Sequence, residues 1–364
     1  MAVISFKCPN CDGELVFSPE TQNFKCEYCF SEFSKEELEK LEPEVGTQTV
    51  DDGSTGEYEE NFDGEKHENE KGTEEKDAVI YSCPSCGAEI VTDETTAATF
   101  CYYCHNPVIL GGKLEGKYLP NKVIPFEITK EQAVTRFIDY VGKKKFIPKA
   151  FFNKKQIECM SGVYFPYWLY NVELEGKMSA SARKVRTWRT GDIQHTETKH
   201  FHVERDGEII LKNLTENALQ KANAKLASGI MPYDFNKMID FNMGYLSGFQ
   251  AERRDIERST VQGKMQEEMR DSAQKLMRET IEYSSSNVES FHVIPQREDW
   301  FYCLLPVWTV TYKGKNGKVY YYSMNGQTGE VCGELPIDYK KVTLTSLLIA
   351  AVILAAGLIG GFVL

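Results

Sequence analysis

The stretch CPNCDGELVFSPETQNFKCEYC, residues 8–29, contains two Cys-x-x-Cys pairs separated by fourteen residues. A second stretch, CPSCGAEIVTDETTAATFCYYC at residues 83–104, repeats this spacing. Each has a short alternating segment typical of a β-strand, Glu14–Phe17 in the first and Glu89–Thr92 in the second. Eight of the eleven cysteines fall in these pairs, which favours metal binding in a reducing compartment over disulfides. The sequence therefore predicts two copies of one small metal-binding unit.

Four thiolates in a tetrahedral array satisfy Zn²⁺ fully and leave no open position for water. We therefore predict two zinc ribbons, at residues 1–34 and 79–112, each holding one structural zinc ion. The predicted ligands are Cys8, Cys11, Cys26, Cys29, Cys83, Cys86, Cys101 and Cys104. Units this short cannot build a core of their own, so metal binding is expected to supply most of their folding energy. The alternative, a redox dithiol, predicts a single Cys-x-x-Cys pair in a βαβ context, which this sequence does not have.

Three further cysteines have apolar neighbours and are interpreted as buried, inert thiols: Cys159, Cys303 and Cys332. His200, His202 and Glu204 would share one face of a strand, which also fits a two-His-one-carboxylate iron site. Such sites usually take ligands from more than one element, so we favour a solvated strand face. The sequence shows no phosphate-binding glycine loop, nucleophile elbow or paired carboxylates, so it predicts no catalytic residue and no enzyme.

The net charge of −12 is concentrated in one segment. Residues 35–78 hold 17 acidic and 5 basic side chains. The segment begins with a short helical run at residues 34–41 and then has few apolar residues, so it is predicted to be a disordered linker. The rest of the chain is neutral, and nucleic-acid-binding domains are usually basic, so a nucleic-acid partner is disfavoured. The basic clusters at residues 143–149 and 183–189 are interpreted as solvated faces, with contact to membrane phospholipid as the alternative.

Residues 117–338 are predicted to form a larger α+β domain. Thr129 and Gln132 form a capping box before an amphipathic helix. Strands are predicted at 162–174, 200–203, 208–211, 301–312 and 319–324, with turns at Asp206-Gly207 and Asn325-Gly326. A mostly helical zone is predicted at 216–282, where one apolar stripe contains Val261, Met265, Met269, Leu276 and Ile281.

A weaker echo links the two ends of this domain. The motif Tyr164-Phe-Pro-Tyr-Trp168 is similar to Leu304-Leu-Pro-Val-Trp308, and each begins a β segment after a helical one. The sequence leaves open whether the domain consists of two related α+β halves.

The last segment, Val342–Leu364, has 23 residues and no charged side chain. At about 1.5 Å per residue, such a helix spans a hydrocarbon core of about 30 Å. Lys340 and Lys341 precede it, and the positive-inside rule places that side in the cytoplasm. The first ribbon follows Met1 without the apolar region of a signal peptide. We therefore predict a single-pass, tail-anchored protein of the cell membrane with its N-terminal mass in the cytoplasm.

Several longer motifs accompany the two ribbons, and the last four of them are specific. They are Lys122–Phe126, Gly162–Trp168, Gly244–Glu252, Leu305–Trp308 and Met324–Val331. Together with the ribbons they resemble the membrane-anchored double-zinc-ribbon proteins that Gram-positive bacteria encode beside a homologue of phage-shock protein A. The chain departs from that family in its long acidic linker and in a membrane segment that ends with the chain.

The resemblance implies a non-enzymatic role, in which the protein recruits a phage-shock-type protein to a stressed membrane. We therefore expect a membrane-tethered cytoplasmic adaptor whose ribbons and α+β domain bind other proteins, with the lipid bilayer and neighbouring membrane proteins as further partners. The alternative is a membrane-bound nucleic-acid-binding regulator that uses the ribbons as readers. Charge separates the two, because the ribbon segments have no basic excess and the acidic linker would repel phosphate.

Overall fold

The computed structural model describes residues 3–38, 40, 44–46, 79–82, 89–92, 95–101, 107–110, 113–114, 116–148, 160–220, 229–313 and 318–363. The strands of these residues are β1 (Val3–Ser5), β2 (Leu15–Ser18), β3 (Asn23–Cys26), β4 (Glu32–Phe33), β5 (Glu44–Gly46), β6 (Val79–Ser82), β7 (Glu89–Thr92), β8 (Thr96–Phe100), β9 (Pro107–Leu110), β10 (Lys122–Val123), β11 (Ser161–Thr190), β12 (Ile193–Asn217), β13 (Ile239–Asp240), β14 (Gln250–Glu252), β15 (Ser285–Lys313), β16 (Val319–Asn325) and β17 (Val331–Gly333). The α-helices are α1 (Lys35–Leu38), α2 (Lys130–Gly142), α3 (Arg258–Glu279) and α4 (Tyr339–Val363).

The predicted α+β class is confirmed, and the described residues are mostly sheet. One sheet contains twelve strands, with the antiparallel pair β11 and β15 at its centre. β12 pairs with β11, while β10 and β16 pair with β15. From the start of β11 the sheet continues through β14, β8, β9, β1 and β5. Strands from both predicted ribbons therefore belong to the same sheet as the larger domain.

Three strands of this sheet are far longer than the sequence predicts. At about 3.3 Å per residue, the thirty residues of β11 extend about 100 Å. The hairpin of β11 and β12 turns at Gly191 and Asp192, where Gly191 has a φ of +62°.

The predicted turn at Asp206-Gly207 is wrong, because Gly207 pairs with Gly176 inside the ladder. Buried Val203 and Ile209 continue the alternation through this point, and packing on one face overrides the local turn preference.

Helix α3 covers one face of the long strands. Its buried residues recur every fourth position: Val261, Met265, Met269, Ala273 and Met277. The predicted stripe is therefore right at its first three positions and wrong at Leu276, which is 44% exposed. The last predicted position, Ile281, is buried but lies beyond the end of the helix. The end of the helix is tied to β12, because Arg205 donates to the hydroxyl and carbonyl of Thr280 at 3.0 and 3.2 Å.

Among the described residues, the predicted helical zone at 216–282 is wrong at residues 216–220 and 230–257. Residues 229–257 contain two 3-10 turns, Phe235–Lys237 and Met243–Leu246, together with β13 and β14. Pro232 has no backbone N–H, and Gly248 has a φ of +89°, so neither fits a continuous helix. Residues 221–228 of this zone lie outside the described part of the chain.

Helix α2 begins at the predicted capping box. The Thr129 hydroxyl accepts from the Gln132 N–H, and the Gln132 side chain accepts from the Thr129 N–H, both at 3.3 Å. Phe137 on its buried face packs against Tyr322 of β16, with ring centroids 4.8 Å apart.

The two echoed motifs lie opposite each other in β11 and β15, where Tyr164 pairs with Pro306. A relationship between two halves stays a prediction.

Part of the predicted linker at 35–78 lies in regular structure. Residues 35–38 form α1, as predicted for the start of the linker, whereas residues 44–46 form β5, which pairs with β1 of the predicted first ribbon. The prediction of disorder over residues 47–78 falls outside the described residues.

Helix α4 is the one helix of the described residues that is long and apolar enough to cross a membrane. Its segment Tyr339–Ala356 has no buried residue. The start of the helix is joined to the α+β domain, because Asp338 N–H donates to the Phe146 carbonyl and Lys341 Nζ donates to the Ile147 carbonyl, both at 2.7 Å. The domain and the helix are therefore in direct contact at Asp338–Lys341.

Candidate metal centre

The four cysteines of the predicted first ribbon, called the first ribbon below, meet at one point. Their Sγ atoms all lie within 4.8 Å of one another. The Cys8 sulfur lies 3.5 Å from that of Cys29, and the Cys11 sulfur lies 3.4 Å from that of Cys26. A tetrahedral zinc ion with Zn–S distances of about 2.3 Å requires sulfurs about 3.8 Å apart, so the tetrad fits such an ion. Within the described residues this is the one group with metal-ligand geometry.

Each Cys-x-x-Cys pair sits in a tight turn of the same construction. Cys8 N–H donates to the Gly13 carbonyl at 2.6 Å, and Cys26 N–H donates to the Ser31 carbonyl at 2.9 Å. The residue after each second cysteine is left-handed, with φ of +61° at Asp12 and +60° at Phe30. These turns aim both sulfurs of a pair to the same side, so two turns facing each other enclose one tetrahedral site.

The environment of the sulfurs differs across the tetrad. Cys8 and Cys26 are buried, whereas Cys11 and Cys29 are exposed. Ser31 Oγ lies 3.3 Å from the Cys29 sulfur, and hydrogen bonds to the hydroxyl and backbone of Ser31 lower the pKa of Cys29 to about 6. Burial raises the pKa of Cys8. A thiolate is therefore most easily formed at Cys29, and thiolate is the form that binds metal.

The first ribbon is packed on the α+β domain. Phe17 lies against Tyr245, with ring centroids 5.1 Å apart, and also meets Phe249 at 6.4 Å. The Ser247 hydroxyl donates to the Leu15 carbonyl, and Phe17 N–H donates to the Ser247 carbonyl at 3.1 Å. The ribbon therefore contributes its apolar side chains to the main core instead of building a core of its own.

A close backbone approach fixes this contact. A Cβ placed on Gly248 would lie 2.2 Å from Cγ1 of Val16, so only glycine fits there. Gly248 belongs to the motif Gly244–Glu252. This motif is one of the specific stretches in the sequence, but the sequence does not indicate which residues the motif contacts. No local pattern in the sequence identifies Tyr245, Ser247 and Phe249 as the residues that the first ribbon packs against.

The second predicted tetrad is only partly described. Cys101 is buried at the end of β8, next to the pairing of β8 with β9 and β14. Cys83, Cys86 and Cys104 lie outside the described residues, so a second metal site stays a prediction. The strand predicted at Glu89–Thr92 is present as β7 and pairs with β6.

The remaining candidate residues that the structure describes lie apart from the tetrad. Cys303 is buried, and burial raises its pKa to about 12, which fits the predicted inert thiol. Cys332 is partly buried, and Cys159 lies outside the described residues. His202 is exposed, with its two ring nitrogens 3.4 Å from Glu204 and 3.7 Å from Glu289. These groups show no metal-ligand geometry within the described part of the chain.

Comparison with known proteins gives one relative with near-complete coverage. No protein-family model matches the chain. No solved structure matches it. A protein of Bacillus subtilis (strain 168) described as "Uncharacterized protein YdjG" is 30% identical to it over 341 residues, which cover 93% of this chain and 92% of that protein. Since the similarity extends over nearly all of both proteins, the chain belongs to the same family as YdjG of this Gram-positive bacterium.

Proposed function

We propose that this protein is a membrane-tethered cytoplasmic adaptor whose zinc ribbons and α+β domain bind other proteins. In this role it recruits a phage-shock-type protein in the membrane stress response. The observation that carries the proposal is the closed cysteine tetrad of the first ribbon, because a four-thiolate site has no open position for substrate. Such a site stabilises a surface, and the surface is then available for a partner.

Two structural zinc ions belong to this proposal, one in each ribbon. The sulfur distances of the first tetrad support zinc, and the second cysteine set has the same spacing. Both ions hold local structure and take no part in chemistry. Metal analysis of the purified full chain tests this part directly, with two zinc ions per chain expected.

The outer turn of the first ribbon provides a contact surface for the adaptor. Tyr28 is 68% exposed and Phe30 is 70% exposed. Phe30 also has a φ of +60°, a conformation that costs a non-glycine residue about 1 kcal/mol. The Tyr28 ring lies beside Gly13, where a Cβ would come within 2.6 Å of it, so the absence of a side chain at Gly13 leaves room for the ring. Exposed aromatic side chains on a metal-stabilised turn favour binding over packing.

Anchoring by α4 completes the proposed role. The helix is apolar along its exposed length, and its first turn contacts the α+β domain through Lys341. A domain held this way stays close to the bilayer, where membrane stress acts. Lys340 and Lys341 support a cytoplasmic position for the N-terminal mass.

Photo-crosslinking in intact cells tests the adaptor role. A photoreactive phenylalanine at position 28 of the full chain is expected to capture a protein, which mass spectrometry then identifies. The same label at Ile210, which is 59% exposed on a long strand, is the matched control and should not capture that protein. Cys26→Ser should abolish the adduct at position 28, because the turn that presents the side chain is lost with the metal.

Three outcomes would count against the proposal. Capture of nucleic acid at position 28 would favour the regulator that reads nucleic acid. An adduct that survives Cys26→Ser would separate binding from the metal-stabilised turn. Capture of the same protein from position 210 would show proximity without a specific surface.

A further inference from the structure

The hairpin of β11 and β12 extends past the start of β15, and at its base Arg183 and Val185 donate to the hydroxyls of Ser285 and Ser284 at 2.6 and 3.0 Å. β15 begins at Ser285, opposite Arg183, so beyond that point the described sheet narrows to two strands. Helix α3 ends at Glu279 and covers the sheet before this point. We call residues 183–200 the arm. A two-stranded ribbon is marginally stable by itself, so an arm of this length favours a binding role over a structural one.

The arm has an excess of positive charge. Its basic residues are Arg183, Lys184, Arg186, Arg189 and Lys199, and its acidic residues are Asp192 and Glu197. Because side chains alternate along a strand, Lys184 and Arg186 project from one face while Arg183 and Arg189 project from the other. The arm therefore presents cations on both faces, in a protein whose overall charge is −12.

Apolar and aromatic side chains lie among these cations near the turn. Trp188 stacks on His195 of the opposite strand, with ring centroids 5.3 Å apart and an angle of 16° between the rings. The Arg186 guanidinium lies 5.6 Å from the Trp188 ring centroid. Ile193 is 63% exposed beside the turn, and Val185 is also exposed. Tryptophan with aliphatic side chains and surrounding Arg and Lys is the composition of segments that enter the interface of a bilayer.

We propose that the arm docks on the surface of an anionic phospholipid bilayer. Arg and Lys contact the phosphate groups, while Trp188 and Ile193 enter the boundary between headgroups and acyl chains. Exposed aliphatic residues at the turn favour a lipid interface over nucleic acid, which would need polar groups there. The inference rests on the proposed anchoring by α4, because a tethered chain holds the arm at a high effective lipid concentration. The arm then gives the protein a second attachment, distant from α4.

Quenching by brominated lipid tests the docking in the full chain. The protein is reconstituted into vesicles that contain phosphatidylglycerol and brominated phosphatidylcholine, and its tryptophan fluorescence is compared with that in unbrominated vesicles. The difference in quenching between the wild type and Trp188→Phe gives the contribution of Trp188, because the other tryptophans remain in the variant. We expect strong quenching of Trp188, and we expect it to vanish in vesicles of phosphatidylcholine alone or at high salt.

Paired variants separate the charge of the arm from charge elsewhere. Lys184→Gln with Arg189→Gln removes one cation from each face, and at about fivefold per charge the ratio of docked to free arm should fall about 25-fold. Lys130→Gln with Lys212→Gln makes the same change in net charge at exposed positions away from the arm, and quenching should persist. Circular dichroism of both pairs establishes that each is folded.

Two results would overturn the docking. Equal quenching of the wild type and Trp188→Phe would place Trp188 away from lipid, and undiminished quenching without phosphatidylglycerol would remove the anionic headgroup as the ligand. Flotation of the vesicles distinguishes a failure of the anchor from a failure of the arm. A chain that does not float contradicts anchoring by α4, and vesicles added to that chain then test the arm by the same quenching.

Discussion

Phe17 of the first ribbon packs edge-on against Tyr245 of the α+β domain, with ring centroids 5.1 Å apart and ring planes at 69°. Phe24 meets the same tyrosine ring at 5.7 Å. Phe17 and Phe24 are fully buried, so the ribbon has an apolar core, shared with the domain, in addition to its metal ligands. The stability of the ribbon and that of the domain are therefore coupled, which the sequence alone did not indicate.

Truncation of Phe17 tests this coupling. Phe17→Ala should lower the free energy of unfolding of the full chain by about 3–5 kcal/mol, because it leaves a cavity in the shared core. The measurement is denaturant unfolding in detergent, followed by circular dichroism. Tyr28→Ala, an aromatic truncation on the exposed side of the same ribbon, should cost about 1 kcal/mol or less. Equal losses for both variants would contradict the shared core.

Removal of one ligand tests the coupling from the metal side. Cys26→Ser should release the zinc ion of the first ribbon and lower the melting temperature of the α+β domain, because Phe17 and Phe24 lose their fixed positions. Metal analysis and thermal unfolding measure the two effects. Cys303→Ser changes a cysteine outside the tetrad and should leave the metal content unchanged. A loss of zinc without any change in the melting temperature would show that the ribbon is independent of the domain.

Local signals in the sequence predict local structure well and long-range structure poorly. The capping box at Thr129, the cysteine spacing at residues 8–29 and the apolar segment α4 depend on residues close in sequence, and the structure places them as expected. The predicted turn at Asp206-Gly207 fails because pairing with β11 decides that segment. The first ribbon contacts the α+β domain at Ser247, which is more than 200 positions away from the ribbon in sequence. No local pattern encodes that contact.

Helix α3 offers a matched comparison between two residues that the sequence placed in one stripe. Met269 is 5% exposed and Leu276 is 44% exposed. Met269→Ala should lower the free energy of unfolding by about 2–5 kcal/mol, while Leu276→Ala should cost about 1 kcal/mol or less. Urea unfolding of both variants measures the difference. Similar costs at the two positions would indicate that the helix is rotated about its axis.

The Ser31 hydroxyl should make metal binding more resistant to acid. Its hydrogen bond favours the Cys29 thiolate and helps to lower the pKa of that thiol to about 6. Because the pKa of Cys29 is lower in the folded chain, its ionisation stabilises the fold at pH values above the pKa of this thiol in the unfolded chain. That stabilisation is lost as the pH falls through the pKa of Cys29 in the folded chain. Ser31→Ala raises the pKa of Cys29, so protons compete better and zinc leaves at a higher pH. We expect the pH at which half of the zinc is released to rise by about 0.3–0.5 unit. The lost hydrogen bond is worth about 1.5 kcal/mol, and this energy is shared among the several protons that bind to the thiolates as zinc leaves.

A chromophoric chelator measures zinc release as the pH is lowered. Thr21→Ala, at an exposed position of the same ribbon, is the control and should leave the midpoint unchanged. A downward shift for Ser31→Ala would mean that the serine hydroxyl stabilises the protonated thiol instead.

The contacts at the start of α4 lead to a prediction about orientation in the membrane. Lys341 Nζ donates to the Ile147 carbonyl, so the domain lies on the same side of the bilayer as Lys340 and Lys341. From the positive-inside rule we predict that this side is the cytoplasm. Protease added outside intact protoplasts should therefore leave the first ribbon uncut, and deletion from Val342 onward should release the protein from membranes. Permeabilised protoplasts are the control, in which the ribbon should be cut. Digestion of the ribbon in intact protoplasts would reverse the orientation, and a cytoplasmic adaptor role would then be excluded.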